Sequence, residues 1–189
     1  MNSIEQKLKR YSQIESKRLL LRPFTLEDVD DVYLYASDDE VTRYMIWDSH
    51  QDIDETKRVV EKFYMPRLGV FAIELKEERK CIGCIDLRLE PKHDKAEVGY
   101  VLNRNYWNKG YMTEALKRLI DHAFSKLGLN RIEAVHDIRN IASGKVMEKS
   151  GMRYEGIGRQ EVKVKGNYID RARYAILRED WIKLKENSE

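Results

Sequence analysis

The stretch from Ala96 to Leu127 constrains the fold most, because its pattern changes from strand to long helix across a single glycine. Residues 97–102 alternate as a strand, a polar loop with Arg104 and Lys109 follows, and Gly110 precedes the helix. The apolar residues of this helix recur at i, i+3 and i+4, namely Ala115, Leu116, Leu119, Ile120, Ala123, Phe124 and Leu127. A helix N-terminus behind a glycine loop is suited to anions. Many such helix starts bind nothing, so the loop alone leaves both interpretations open.

The remaining pattern predicts an α+β domain with a mixed sheet. Residues 70–76, 80–90 and 95–102 read as three strands with short links, which favours an antiparallel meander. Residues 130–135 form a further strand, reached through a helical crossover and therefore predicted to be parallel to its neighbour. The polar residues 1–16 are expected to be an N-terminal extension, helical or frayed, of a single domain over residues 1–189.

Composition excludes several classes of function. The net charge of +2 gives no general case for nucleic-acid binding, and no apolar run approaches the length of a bilayer span. A cytoplasmic protein is therefore expected. Cys81 and Cys84 lie in a strand pattern, which favours two buried thiols over a redox or zinc site. The histidines show no ligand spacing, and no metal is predicted.

A second candidate segment opens the short helix at residues 140–149. Asn140 is expected to cap this helix, with Ser143 at its third position. If the strands at 95–102 and 130–135 are neighbours, this helix start and the Gly110 loop open at the same end of the sheet. A capping side chain can also contact a ligand.

Four motifs, in this order, resemble those of the GNAT acyltransferases: LRPFTLED, AEVGYVL, YWNKGYMTEA and NIASGKVMEKSGM. The resemblance covers about residues 17–183 and is closest to the ribosomal-protein alanine N-acetyltransferases of the RimJ/RimL type. It implies the GNAT fold, a mixed, mostly antiparallel twisted sheet of about seven strands flanked by helices, with splayed central strands.

The resemblance also implies acetyl-coenzyme A as the donor, bound where the two central strands separate. The residues implied to bind it are Tyr100, Val101, Leu102, Asn108, Lys109, Gly110, Tyr111, Met112, Thr113, Asn140 and Ser143. The backbone of Tyr100 and Leu102 would pair with pantetheine, and Ser143 would reach the thioester sulfur. Asn108 and Met112 depart from the family pattern, in which a glycine and a small residue are usual. Asparagine tolerates the left-handed conformation, so Asn108 is expected to replace the glycine.

Acetyl transfer needs a polarised carbonyl, a stabilised thiolate and a neutral amine. A backbone N–H at a bulge near Gly99 or Tyr100 is the candidate for the carbonyl, and Ser143 for the thiolate. The group that removes the amine proton is left open between Glu97, Glu161 and water. For Glu97, the alternative is a structural ion pair with a lysine or an arginine.

The acceptor is expected to be a primary amine, foremost a protein or peptide N-terminus. Small amines and a non-catalytic coenzyme A sensor remain alternatives, and the chain is expected to be a monomer or homodimer. Four acidic residues near the first helices are candidates for attracting the amine: Asp38, Asp39, Glu40 and Asp54. The alternative is that they form a solvated helix start. Tyr44 and Trp47 are candidates for the apolar walls of the acceptor site.

Overall fold

An eight-stranded sheet runs through the computed structural model of the protein, which describes residues 3–187. Residues 1–2, part of the predicted extension, and residues 188–189 lie outside the described range. The strands are β1 (Ile14–Glu15), β2 (Leu19–Arg22), β3 (Val70–Leu75), β4 (Lys80–Glu90), β5 (Lys95–Leu102), β6 (Arg131–Asp137), β7 (Arg153–Val164) and β8 (Asn167–Leu177). They are ordered β1-β2-β3-β4-β5-β6-β8-β7, and only β5 and β6 pair in parallel within the described chain. The mixed, mostly antiparallel sheet is confirmed, with eight strands instead of about seven.

Seven α-helices flank the sheet within the described residues: α1 (Ile4–Arg10), α2 (Val29–Ala36), α3 (Asp39–Thr42), α4 (Ile53–Val59), α5 (Tyr111–His122), α6 (Ile141–Lys149) and α7 (Arg178–Glu186). Wider π-helical turns extend α4 through Tyr64 and α5 through Leu127. None of the helices between residues 3 and 187 has the length and apolar character needed to cross a bilayer.

The N-terminal segment belongs to the main core, which its polar composition did not indicate. Leu8 of α1 and Ile14 of β1 are each 1% exposed and pack in the same cluster as the α5 residues. β1 is also the additional strand, paired with β2. The described part of the predicted extension is therefore an ordered layer of the fold.

Helices cover both faces of the sheet. The predicted α5 stripe, from Ala115 to Leu127, is buried as expected. On the opposite face, α2 and α4 bury residues such as Tyr35 and Val60. Thr56 and Val60 of this segment face the core, whereas Ile53 and Phe63 are exposed.

The two central strands separate at one end. β5 and β6 pair from Lys95 with Arg131 to Val98 with Ala134, and the pairing then stops. β5 continues to Leu102 and β6 to Asp137, so a gap opens between them. The meander, the parallel crossover and the splay predicted from the sequence are confirmed. Helices α5 and α6 both start at this open end.

Candidate active site

A cleft of about 640 Å³ lies at the gap between β5 and β6. Most of the predicted site residues line it, as do residues of α3 and the segment after it. The predicted residues in the lining are Tyr100, Val101, Leu102, Asn108, Gly110, Tyr111, Met112, Thr113, Asn140 and Ser143. Two predicted residues, Lys109 and Glu97, are not among the lining residues. The sequence motifs are thus brought together from three separate elements.

The edge of β5 offers backbone groups to the gap. Asn103 donates its N–H to the Ile82 carbonyl in β4 (2.8 Å). Backbone groups of alternate residues point to opposite edges of a strand, so those of Tyr100 and Leu102 point toward β6. The Leu102 carbonyl accepts a hydrogen bond from Nε1 of Trp107 (2.8 Å). A carbonyl can accept a second hydrogen bond, so both residues can pair with an extended ligand.

The bulge expected near Gly99 or Tyr100 is absent from the described strands. β4 and β5 pair in unbroken register from Gly83 with Leu102 to Glu90 with Lys95. The Gly99 N–H donates to Oδ1 of Asp86 (2.8 Å) and is therefore occupied. A Cβ at Gly99 would lie 2.6 Å from that oxygen, so a larger residue here would displace the Asp86 side chain. The Tyr100 N–H is left as the backbone donor that points into the gap.

The loop before α5 contains two residues in the left-handed conformation. Asn108 and Gly110 have φ of +59° and +79°, so asparagine does occupy a left-handed position, as its tolerance for that region predicts. Gly110 is the residue immediately before α5, whose first N–H groups face the cleft end of the sheet. The Lys109 side chain instead lies over the Tyr106 ring, 5.4 Å from its centroid.

Arg18 braces this loop, a role that sequence reasoning missed. Its Nη1 donates to the Lys109 carbonyl (3.0 Å), and its Nε lies 2.6 Å from Oε2 of Glu114 in α5. Ser16 also donates to Glu114. Partial burial alone would raise the pKa of Glu114, but the hydrogen bonds from Arg18 and Ser16 lower it. Arg18 directly precedes β2, and its partner Glu114 lies 96 residues away in the sequence.

Asn140 and Ser143 form the other wall. Oδ1 of Asn140 accepts the Ser143 N–H (3.2 Å), which is the predicted cap of α6. The Asn140 amide nitrogen makes no hydrogen bond to any described residue. The Ser143 hydroxyl donates to the phenol oxygen of Tyr100 (3.0 Å). Burial raises the pKa of Tyr100 above its ordinary value, although the bond from Ser143 acts in the opposite direction.

The two candidate carboxylate bases are both in ion pairs. Glu97 lies in the part of β5 that is still paired with β6, and its Oε1 is 2.7 Å from Nη2 of Arg88. Glu161 in β7 pairs with Arg171 at 2.6 Å and with Arg173 at 3.2 Å. The ion-pair alternative considered for Glu97 is therefore the arrangement that the structure shows.

On the acceptor side, Glu40 and Tyr44 line the cleft, together with Val41 and Met45. Asp38 pairs with Arg104 at 3.0 Å. Asp39 accepts a hydrogen bond from Ser49. Neither these two nor Asp54 and Trp47 are among the lining residues, and Trp47 packs beside the α2 core. Glu40 is thus the one carboxylate among the described residues of the cleft lining.

Two lysines of α6 were missed by sequence reasoning. Lys145 and Lys149 line the cleft on the side of α6, and neither forms an ion pair with a described residue. Their spacing of four residues places them on one helix face. They give this wall of the cleft the positive charge that a phosphate-bearing ligand requires.

Residues 18–153 match the family model described as the acetyltransferase (GNAT) domain, so the chain belongs to the GNAT acetyltransferases. It is 35% identical over 171 residues to the uncharacterized N-acetyltransferase p20 of Bacillus licheniformis, covering 88% of this chain and 96% of p20. An acetyltransferase of the GNAT family from Bacillus anthracis has a similar structure, with TM-score 0.83 and 33% identity over 88% of this chain and 99% of its own. The protein is an acyltransferase.

Other relatives differ in the acceptor that their names give. YdaF of Bacillus subtilis, a putative ribosomal N-acetyltransferase, is 35% identical over 100 residues, 52% of this chain and 55% of its own. A spermidine N-acetyltransferase from Vibrio cholerae, solved with CoA and spermine, has TM-score 0.75 and 21% identity over 88% of this chain and 99% of its own. At that identity the likeness concerns the fold alone.

Proposed function

We propose that this protein transfers the acetyl group of acetyl-coenzyme A to a primary amine, foremost the N-terminal amine of a protein or peptide. The observation that supports the donor is the single cleft that joins a free β5 edge, the α5 N-terminus and Ser143. These features fit three parts of coenzyme A. The edge suits the pantetheine amides, the N-terminus suits the pyrophosphate, and the serine suits the sulfur.

Each part of the donor would be held by residues of this chain. Backbone groups of Tyr100 and Leu102 would pair with the pantetheine arm, and the free amide nitrogen of Asn140 would donate to one of its carbonyls. Backbone N–H groups from Asn108 to Thr113 would hold the pyrophosphate. Lys145 and Lys149 would attract the remaining phosphate, since both face the same cleft without a partner among the described residues.

The donor supplies an activated thioester, and the protein would stabilise charge around it. The Tyr100 N–H, which points into the gap, would polarise the carbonyl as the amine attacks. Ser143 would donate a hydrogen bond to the departing sulfur. Glu97 and Glu161 are held by arginines outside the cleft lining, so we assign removal of the amine proton to water.

The acceptor end favours a single amine over a polyamine. A polyamine carries several positive charges and would be favoured by several free carboxylates, yet Glu40 is the one carboxylate in the described lining, and it lies 3.6 Å from Nη1 of Arg43. Asp38, Glu97 and Glu161 are already paired with arginines. The partial likeness to a putative ribosomal N-acetyltransferase supports the same choice, and with it the RimJ/RimL branch.

The test measures acetyl-coenzyme A binding and then coenzyme A release. Thermal unfolding with and without the donor should show a raised midpoint, because a ligand of the folded state stabilises it. Peptides with free N-terminal alanine or serine should then release thiol, while the same peptides with blocked N-termini should not. Faster release with spermidine than with any peptide would favour the small-amine alternative. Binding without release to any amine would favour the sensor.

A further inference from the structure

The Ser143 hydroxyl is held by a phenol that comes from the neighbouring strand. The Tyr100 oxygen accepts a hydrogen bond from Ser143 Oγ (3.0 Å) and donates one to the Ser143 carbonyl (2.9 Å). We propose that Tyr100 is a positioning residue that fixes the Ser143 hydroxyl for the departing sulfur. The inference rests on the proposed function, since it concerns the residue assigned to the thiolate there.

The fold makes this contact possible because β5 faces the first turn of α6 across the gap. Ser143 is the third residue of α6, and its N–H is already held by the Asn140 cap. A serine hydroxyl that is otherwise free has three staggered positions. With its N–H bound by Asn140 and its Oγ and carbonyl bound by Tyr100, Ser143 is restricted to one of them.

The exchange of hydrogen bonds during transfer is balanced. As the C–N bond forms and the C–S bond breaks, the electron pair of the C–S bond remains on sulfur. The Ser143 O–H turns from Tyr100 to that sulfur, and the Tyr100 O–H turns from the carbonyl to Ser143 Oγ. The amine gives one proton to the solvent, and the thiolate finally takes one proton from the solvent. No oxidant or reductant is involved.

Tyr100 can keep donating throughout this exchange. Burial raises the pKa of its phenol, so the group stays protonated across the neutral range. A donor behind Ser143 also strengthens the hydrogen bond that Ser143 gives, since linked hydrogen bonds polarise one another. The effect of Tyr100 should therefore reach the sulfur only through Ser143.

The decisive experiment combines Tyr100→Phe and Ser143→Ala in a double-mutant cycle. With whichever amine the wild type acetylates best, Tyr100→Phe should lower kcat by roughly tenfold and change KM for acetyl-coenzyme A by less than about threefold. In the Ser143→Ala background it should have no further effect on kcat. Independent, multiplicative effects would overturn the inference. A wild type that prefers spermidine would contradict the proposed acceptor but would leave this cycle readable.

Tyr174→Phe is the matched control. Tyr174 is another phenol beneath α6, itself buried, but its hydroxyl donates to Glu148 (3.1 Å) instead of Ser143. Its loss should leave kcat within about twofold of the wild type, the range of an indirect packing change. An equal loss of kcat in both variants would show that any buried phenol supports α6, and the inference would fail.

A binding measurement supplies a readout other than activity. Calorimetry compares coenzyme A with desulfo-coenzyme A, which has the same contacts but no sulfur. The wild type should bind coenzyme A more tightly, and Tyr100→Phe should reduce that preference as much as Ser143→Ala does. If Tyr100→Phe fails to fold, 3,5-difluorotyrosine at position 100 keeps the ring and hydroxyl and makes a stronger donor. It should increase the preference, and an unchanged ratio would overturn the inference.

Discussion

Arg18 and Glu114 connect the residue before β2 to α5, the helix whose N-terminus forms one end of the cleft. Nε of Arg18 lies 2.6 Å from Oε2 of Glu114, and the Arg18 backbone N–H donates to the same carboxylate (2.8 Å). The same guanidinium holds the Lys109 carbonyl and lies 4.3 Å from the centroid of the Tyr111 ring. The loop geometry from Lys109 to Tyr111 therefore depends on a residue outside the cleft lining.

Replacing Arg18 should consequently weaken donor binding clearly while lowering the stability of the fold only slightly. Arg18 is 40% exposed at its side chain, so the ion pair itself contributes at most about 1 kcal/mol. We expect Arg18→Ala to lower the unfolding midpoint by about 2–4 °C and to raise KM for acetyl-coenzyme A roughly tenfold. Arg67→Ala, which removes an arginine stacked on Phe63, is the control and should change neither. An unchanged KM in Arg18→Ala would mean that the loop keeps its shape without this brace.

Substituting Gly110 tests how much the loop backbone contributes to donor binding, with Gly166 as the matched control. Gly110 and Gly166 have φ of +79° and +82°, so alanine at either should cost about 1–2 kcal/mol. A Cβ at Gly110 would meet only Arg18 Nη2 at 3.5 Å, and at Gly166 nothing within 4 Å. Both variants should lose similar stability. Only Gly110→Ala should lose the thermal shift caused by acetyl-coenzyme A, and an equal shift in both would argue against a pyrophosphate at this loop.

Substitutions of Asn108 test whether its left-handed conformation matters to donor binding. Because its φ of +59° is one that glycine adopts freely, Asn108→Gly should retain donor binding. Asn108→Val places a β-branched residue in the same region and should lose it. The dissociation constants of acetyl-coenzyme A from calorimetry measure both effects. Equal binding by the two variants would show that the conformation of residue 108 does not matter to the donor.

The sequence predicted the elements of this site better than the contacts between them. Periodicity placed the α5 stripe and the ends of β5 well, because both depend on residues close in the chain. The pair of Arg18 with Glu114 and that of Tyr100 with Ser143 span 96 and 43 residues, respectively. Such pairs are set by strand register and helix placement, which local patterns do not contain. The two-residue β1 was missed for the same reason, since it exists only through its pairing with β2.

Substituting Glu97 distinguishes a mechanism in which a carboxylate removes the amine proton from one in which water does. A general base typically contributes about 10²–10⁴-fold to the rate. Because Arg88 holds Glu97 outside the cleft lining, Glu97→Gln should lower kcat by less than about threefold. Glu155→Gln removes a carboxylate that also pairs with a strand arginine, Arg131, and serves as the control. A loss of kcat near 100-fold in Glu97→Gln alone would return the role of base to Glu97.

His122 should make the folded state sensitive to mild acid. Its side chain is buried in α5, with Nε2 lacking a hydrogen-bond partner among the described residues and Tyr11 packed edge-on at 5.9 Å. Burial lowers its pKa to about 4, aided by Arg118 and Lys126 and opposed by Asp121. Between the ordinary value of 6.5 and about 4, the unfolded chain binds a proton that the native state does not. The contribution of neutral His122 to the free energy of unfolding is therefore fully present above pH 6.5. It falls as the pH drops toward 4, by at most about 1.4 kcal/mol per pH unit.

Urea unfolding between pH 7 and 4.5 measures this dependence on His122. Other groups also titrate in this range, so the quantity to compare is the slope of unfolding free energy against pH in the wild type and in His122→Leu. The slope should be smaller in His122→Leu, whatever the change in absolute stability, because the leucine binds no proton in either state. His93→Gln, at an exposed turn, should keep the wild-type slope. Equal slopes in the wild type and His122→Leu would mean that His122 takes up its proton without unfolding, and that the layer between α1 and α5 opens to admit water.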